Sequence, residues 1–154
     1  MKFSTREDIE APVDHVFAQV SDFAGFERRA LRHGADVTRI DSGPCQVGSS
    51  WDIVFTFRQR ERRMRATLVE IDPPHHYRVD TVSDGLTVVT TVELVPLSRG
   101  RTRVAVSLDL RAKSLTARLL LQSMKLAKVK LSKRFKARVV EFAEDIEDAY
   151  RKAG

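Results

Sequence analysis

Apolar positions in the last third of the chain follow a helical rhythm. At ~100° per residue, Leu120, Met124, Ala127, Leu131, Phe135, Val139, Phe142, Ile146 and Ala149 fall on one stripe. No glycine or proline interrupts the segment between Gly100 and Gly154. The pattern predicts one long amphipathic helix over most of it. A stripe of that length needs a broad apolar surface to lie against. Leu126, Val129 and Val140 fall off the stripe. Three readings stay open for them: a kink in the helix, a second covering surface, or the scattered exposed apolar residues common on proteins.

The preceding residues alternate with a period of two, which is the signature of half-buried strands. Phe3, Thr5, Glu7 and Ile9 share one side of a first strand. Pro12 suits the first position of a short helix, whose apolar face is Val13, Val16, Phe17 and Val20. Ser21 or Asp22 can cap a second helix carrying Phe23, Phe26 and Ala30, and Gly34 is placed to end it. Strand patterns then run on: a short one over 35–40, then Trp51, Ile53, Phe55 and Phe57, with Val54 blurring the far face. Met64, Ala66 and Leu68 continue inward, after which Val69 and Ile71 switch parity and predict a β-bulge near Leu68. Asp72-Pro73-Pro74 and Ser83-Asp84-Gly85 read as turns around the inward set His75, Tyr77, Val79 and Thr81. Leu86, Val88, Thr90, Val92 and Leu94 lead to a turn at Ser98-Arg99-Gly100, and Val104, Val106, Leu108 and Leu110 close the series.

Short turns between successive strands imply antiparallel neighbours, and one-sided apolarity implies one buried and one wet face. The expected fold is therefore α+β. A curved antiparallel sheet of about seven strands wraps a long C-terminal helix, with two short helices after the first strand. The 154 residues form a single domain, and no repeat or linker divides them.

Several segments bear a family likeness. Ile9-Glu10-Ala11-Pro12-Val13-Asp14-His15-Val16-Phe17 followed by Ser21-Asp22-Phe23 is similar to the opening of the Bet v 1-like superfamily, also called START or SRPBCC. Val47-Gly48, Val69-Glu70-Ile71-Asp72-Pro73-Pro74 and Gly100-Arg101-Thr102-Arg103-Val104 match further along, in order and over nearly the whole length. Within that superfamily the chain resembles the bacterial polyketide cyclase/dehydrase and lipid-transport group. The resemblance implies the helix-grip fold and a hydrophobic cavity between sheet and helix. It carries no catalytic motif, so no catalytic residue is assigned.

Charge changes the picture next. The net charge is +6, placed unevenly. From Arg111 to Val140 there are ten Lys or Arg and no acid, whereas Glu141 to Asp148 hold five acids and no base. Arg58, Arg60, Arg62, Arg63 and Arg65 form a second cluster around Glu61. Such fields attract anions, among them an anionic membrane surface. Nucleic acid is disfavoured, because single-strand readers interleave aromatics with basic residues and Phe135 is the one aromatic between Lys125 and Arg138. No apolar run approaches the ~18–20 residues of a bilayer span, and residues 1–8 lack the apolar core of a secretory signal, so a cytoplasmic location is expected. Cys45 is the sole cysteine, which excludes an internal disulfide.

Chemistry-bearing constellations are sparse. His15, His33, His75 and His76 show no metal-ligand spacing, and neither a phosphate loop nor a Gly-x-Ser-x-Gly elbow occurs. No metal or cofactor is expected. His75, Tyr77 and Glu7 are the titratable groups that could face inward. Lys128 and Arg138 each lie ~40° from the buried stripe, on opposite sides. Either their stems follow apolar surface while their charges reach water, or Lys128 anchors a ligand carboxylate or phosphate at the mouth; Glu7 is then its resting partner or sits at a frayed strand edge.

The expected cavity is lined from the sheet by Trp51, Phe55, Phe57, Met64, Leu68, Tyr77, Val88, Val106 and Leu108, and from the helix by Leu120, Met124 and Lys128. The expected function is binding, with or without transport, of a lipid, isoprenoid or polyketide-like molecule by a monomer or homodimer, with no reaction required. Two alternatives are a polyketide cyclase or dehydratase, and an interaction module using its basic surface on RNA or an acidic protein.

Overall fold

The computed structural model describes residues 1–154. Seven strands form one antiparallel sheet: β1 (Lys2–Ile9), β2 (Asp36–Arg39), β3 (Ser50–Phe57), β4 (Arg60–Asp72), β5 (His76–Ser83), β6 (Leu86–Ser98) and β7 (Arg101–Ala112). Their spatial order is β1-β7-β6-β5-β4-β3-β2, so each strand from β2 to β7 pairs with its sequence neighbour and β1 closes on the last. Helices α1 (Val13–Val20) and α2 (Phe23–Arg32) fill the crossover from β1 to β2, and α3 (Leu115–Leu126) and α4 (Lys128–Ala153) follow β7.

Register places the inward set. Phe3 opposes Leu108, Thr5 opposes Val106, Glu7 opposes Val104 and Ile9 opposes Thr102, so both strands turn the same side to the helices. The parity switch read in β4 is real: the register against β5 shifts between Leu68 and Glu70, which turns Ile71 inward opposite Tyr77. The Asp84-Gly85 turn has positive φ at both residues, as a two-residue hairpin requires. Gly85 has a second reason to be glycine. A Cβ there would lie 2.4 Å from Ser114 Oγ, and Ser114 caps α3 by accepting from the Ala117 N–H.

At the first helix the structure shifts the proline reading by one residue. Pro12 is the N-cap, and its carbonyl accepts the first helical bond from the Val16 N–H at 3.0 Å. Asp22 caps α2 by accepting from the Gly25 N–H at 3.1 Å, and Gly34 follows the helix at φ +87°.

The long C-terminal helix is broken, contrary to the single rod expected. Ala127 sits at φ −108°, ψ 16°, and its N–H reaches back to Met124 rather than continuing the α-helical ladder. No proline or glycine causes the break. Tertiary packing does: α3 lies on β7, whereas α4 crosses β1 and α1. The core is divided accordingly. A main cluster gathers Ile9, Val16, Val20, Trp51, Leu68, Tyr77, Val92 and Ile146, and a smaller one gathers Phe3, Leu110 and Leu121 under α3. The break leaves Leu126 and Val129 in solvent, 93% and 71% exposed, whereas Val140 is half-buried. No helix is long and apolar enough to cross a membrane.

Candidate functional site

Between sheet and α4 lies a hollow of about 240 Å³. The sheet wall is Ile9 of β1, Tyr77 of β5, Thr90 and Val92 of β6, and Val104 and Val106 of β7. From the helices come Val20 at the end of α1 and Phe26 of α2. The roof is α4, which contributes Phe135, Arg138 and Val139, then Phe142, Ala143 and Ile146 one and two turns on. Twelve of the fourteen lining residues are hydrophobic. Such a wall rewards removal of apolar surface from water and offers little to a polar ligand.

Thr90, Arg138 and the hydroxyl of Tyr77 define its chemistry. Tyr77 is buried, and its hydroxyl donates to the Val20 carbonyl at 2.6 Å. Burial pushes the phenol well above its usual range, so it stays neutral with its proton already committed. Thr90 contributes a half-buried side chain to the wall. Arg138 is the one exposed lining residue and marks the rim.

Helix α2 shapes the entrance. None of its residues is buried. It is held by aromatic contacts: Phe26 to Phe142 at 5.5 Å, Phe23 to Trp51 at 5.3 Å and Phe23 to Tyr77 at 5.2 Å between ring centroids. Trp51 Nε1 donates to Glu27 at 2.9 Å. The Arg29 guanidinium lies 4.7 Å above the Phe142 ring and 3.8 Å from Asp145. Arg138 Nη1 meets His33 Nε2 at 3.2 Å, which ties the end of α2 to the rim.

Of the residues expected at the cavity, Tyr77 and Val106 line it. Trp51 and Leu68 belong to the main packed cluster. Val88, Leu108 and Met124 pack on the smaller cluster. Phe55, Phe57 and Met64 are half-buried on β3 and β4, where Arg58 and Arg62 lie 5.3 and 5.6 Å from the Phe57 ring, and Leu120 is half-buried on α3. Lys128 opens α4, is exposed, and does not line the hollow. The rim cation is Arg138, and Glu7 accepts from the Thr5 hydroxyl at 3.5 Å rather than from Lys128. Trp51 and Leu68 thus share the main cluster with the wall of the hollow without lining it, whereas Val88, Leu108 and Met124 lie one cluster further along the sheet. Where α4 crosses the sheet sets which turn of the pattern encloses space, and periodicity does not encode that crossing point. His75 lies in a polar concavity with Glu70 and Arg78, apart from the hollow.

A curved sheet closed over an apolar hollow by a C-terminal helix is the Bet v 1-like helix-grip fold. The chain belongs to the polyketide cyclase/dehydrase and lipid transport family, whose model matches residues 1–147. Among solved structures it is similar to the Zhui aromatase/cyclase from Streptomyces sp. R1128, with a TM-score of 0.74 and 13% identity over 100% of this chain and 98% of that one. TTHA0849 from Thermus thermophilus gives a TM-score of 0.70 and 16% identity over 97% and 99%. Norcoclaurine synthase from Thalictrum flavum, in complex with dopamine and hydroxybenzaldehyde, gives 0.64 and 15% over 100% and 88%. At these identities the likeness is one of fold. No curated protein matches the sequence.

Proposed function

We propose that the protein binds a small hydrophobic molecule in the hollow beneath α4 and carries it without transforming it. The observation that supports this most directly is the wall itself, twelve hydrophobic residues around about 240 Å³. At ~30 Å³ per water-sized group, that space takes roughly eight such groups. It lies below the ~300–1,000 Å³ usual for ligand pockets, so the enclosed part is a medium chain or a two-ring aromatic, and anything longer projects past the rim. Each buried methylene contributes about 0.8 kcal/mol, reduced by the ordering of ligand and rim side chains.

The same geometry disfavours a cyclase or dehydratase. Of the three titratable groups considered for chemistry, Tyr77 alone lines the hollow, and its hydroxyl is bonded to a backbone carbonyl. Native mass spectrometry of the purified protein, with calorimetric titration of 1-decanol and 2-naphthol, tests the binding reading. A saturable one-to-one complex with either probe is expected. Absence of saturable heat for both, with no co-purified mass, overturns it.

A second reading concerns where cargo is exchanged. We propose that the protein docks on an anionic membrane surface through the elbow between α3 and α4. Leu126 and Val129 are exposed there, among Lys125, Lys128 and Lys130, and Leu115, Arg118 and Leu119 are exposed further back along α3. Arg58 at the β3–β4 turn bonds the Ser123 hydroxyl of α3, which joins the hairpin's arginines to the same platform. Each basic residue near such a surface contributes about 1 kcal/mol, fading with salt. Vesicles of phosphatidylserine and phosphatidylcholine should retain the wild type at low salt and release Leu126→Glu/Val129→Glu. Equal binding to purely zwitterionic vesicles, or none to either, would refute the docking.

A further inference from the structure

We propose that Arg138 is an anion subsite at the rim, and that the ligand is an amphiphile with one anionic oxygen head, a carboxylate or phosphate monoester, on an apolar tail. This rests on the binding reading above and specifies its ligand.

The argument begins with the pairing of charges. Arg138 is the sole charged residue in the lining. The other cation at the entrance, Arg29, is neutralised by Asp145 at 3.8 Å and stacked on Phe142. Arg138 has no carboxylate partner; its one side-chain bond is to the ring nitrogen of His33, 3.2 Å away. Glu141, three residues on, is exposed and forms no ion pair with it. A guanidinium carries five N–H donors. One is used here, so a two-pronged face remains for a carboxylate or phosphate.

Position completes the case. Phe135, Val139 and Phe142 flank Arg138 on α4 and all line the hollow. A tail among them brings its head to the guanidinium at the exposed end. A head anywhere deeper would be buried among apolar side chains with no cation to meet it, at a prohibitive desolvation cost. The site therefore accepts an anionic amphiphile in one direction, tail first. Arg134 and Lys136, close by on α4, add positive field without a competing acid between Arg111 and Val140.

The test is calorimetric titration of wild type, Arg138→Met and Arg138→Lys with decanoate, decyl phosphate and 1-decanol. Wild type should bind at least one of the two anions roughly tenfold tighter than decanol, the range expected for a charge-assisted pair. Which anion shows the preference identifies the head. Arg138→Met should erase that preference and leave decanol within about twofold, while Arg138→Lys retains part of it. Melting curves confirm folding, and Arg138→Gln replaces Met if that variant is unstable. Equal affinity of wild type for all three probes, or an equal loss for all three in Arg138→Met, overturns the subsite while decanol binding still upholds the carrier. If decanol and both anions fail to bind wild type, the subsite falls, and the carrier falls with it only where 2-naphthol also fails and no mass co-purifies.

Discussion

Replacing Ala143 by leucine separates a hollow from a solid core by the sign of a stability change. Ala143 is 7% exposed and lies on the roof of the cavity. Leucine adds three carbon groups, about 90 Å³ at ~30 Å³ each, well within the 240 Å³ available. If the space is empty, burying them contributes up to about 2.4 kcal/mol at ~0.8 kcal/mol per methylene. Partial strain reduces the net gain to about 1–2 kcal/mol. Helix propensity barely changes, because leucine is nearly as good a helix former as alanine. In a close-packed core the same substitution costs about 1–3 kcal/mol through off-rotamer side chains and backbone shifts. Urea unfolding is the assay, followed by the fluorescence of Trp51, the only tryptophan. A gain of that size corresponds to an upward shift of a few degrees in melting temperature, at ~2–4 °C per kcal/mol. Decanol affinity should fall at least tenfold, because the added side chain occupies its place. A destabilisation beyond about 1 kcal/mol would refute the hollow. A gain in stability with unchanged decanol affinity would show a void that is not the binding site.

Three further outcomes follow from particular contacts. Gly85→Ala should cost about 2–4 kcal/mol, combining a left-handed backbone with displacement of the Ser114 cap; its φ is +81° and its Cβ would lie 3.1 Å from the Ser114 nitrogen, and a loss under about 0.5 kcal/mol in urea unfolding would contradict the packing. Gln59→Gly should stabilise by about 1 kcal/mol, because Arg58 and Gln59 both hold positive φ, 53° and 62°, in a turn that favours glycine; a lower urea midpoint would show that the turn is not strained. Asp41 accepts from Arg39 at 2.9 Å and from the Ser50 N–H at 3.0 Å, and the arginine bond above all holds its carboxyl far below the ordinary 3.8. A depressed folded-state pKa means stability present above 3.8 and lost as pH falls below it. Asp41→Asn should therefore melt earlier than wild type at neutral pH, with the difference shrinking between about pH 4 and pH 2; a difference independent of pH would exclude this linkage.

How much of this was legible depends on which interactions carry the information. Local patterns did: the inward alternation of β1 and β7, the β4 bulge at Leu68, the Asp84-Gly85 turn and the Asp22 cap all rest on residues near in sequence. The Arg58-Gln59 turn gave no signal, because neither residue is a turn former and the pairing of Phe57 with Arg60 imposes the two-residue hairpin. The break at Ala127 left only a trace, the off-stripe Leu126 and Val129 for which a kink was one open reading, and its place is set by α3 packing on β7 while α4 packs on β1 and α1. For the cavity, periodicity identified the face but not the depth. Ile9, Val92, Val104, Phe142 and Ile146 all stood on predicted inward positions, yet only the crossing of α4 over β1 and α1 makes them neighbours around a void. The ~40° offset that marked Lys128 also marked Arg138, and angular position alone could not choose between two residues ten positions apart.

Those ten positions have a mechanical consequence. At 1.5 Å per residue, Arg138 stands about 15 Å along α4 from the elbow at Lys128. Leu126 and Val129 therefore lie roughly three helical turns from the rim. The proposed entry through the rim and the proposed docking through the elbow thus use different turns of one helix. They are energetically independent unless the break at Ala127 couples them. Independence makes each claim testable alone: Leu126→Glu/Val129→Glu should leave decanol affinity unchanged, and Arg138→Met should leave vesicle binding nearly unchanged, one cation having been removed from the ten between Arg111 and Val140. A shift in decanol affinity in the elbow variant would instead make the α3–α4 break a hinge linking the membrane face to the cavity, because no direct contact spans that distance.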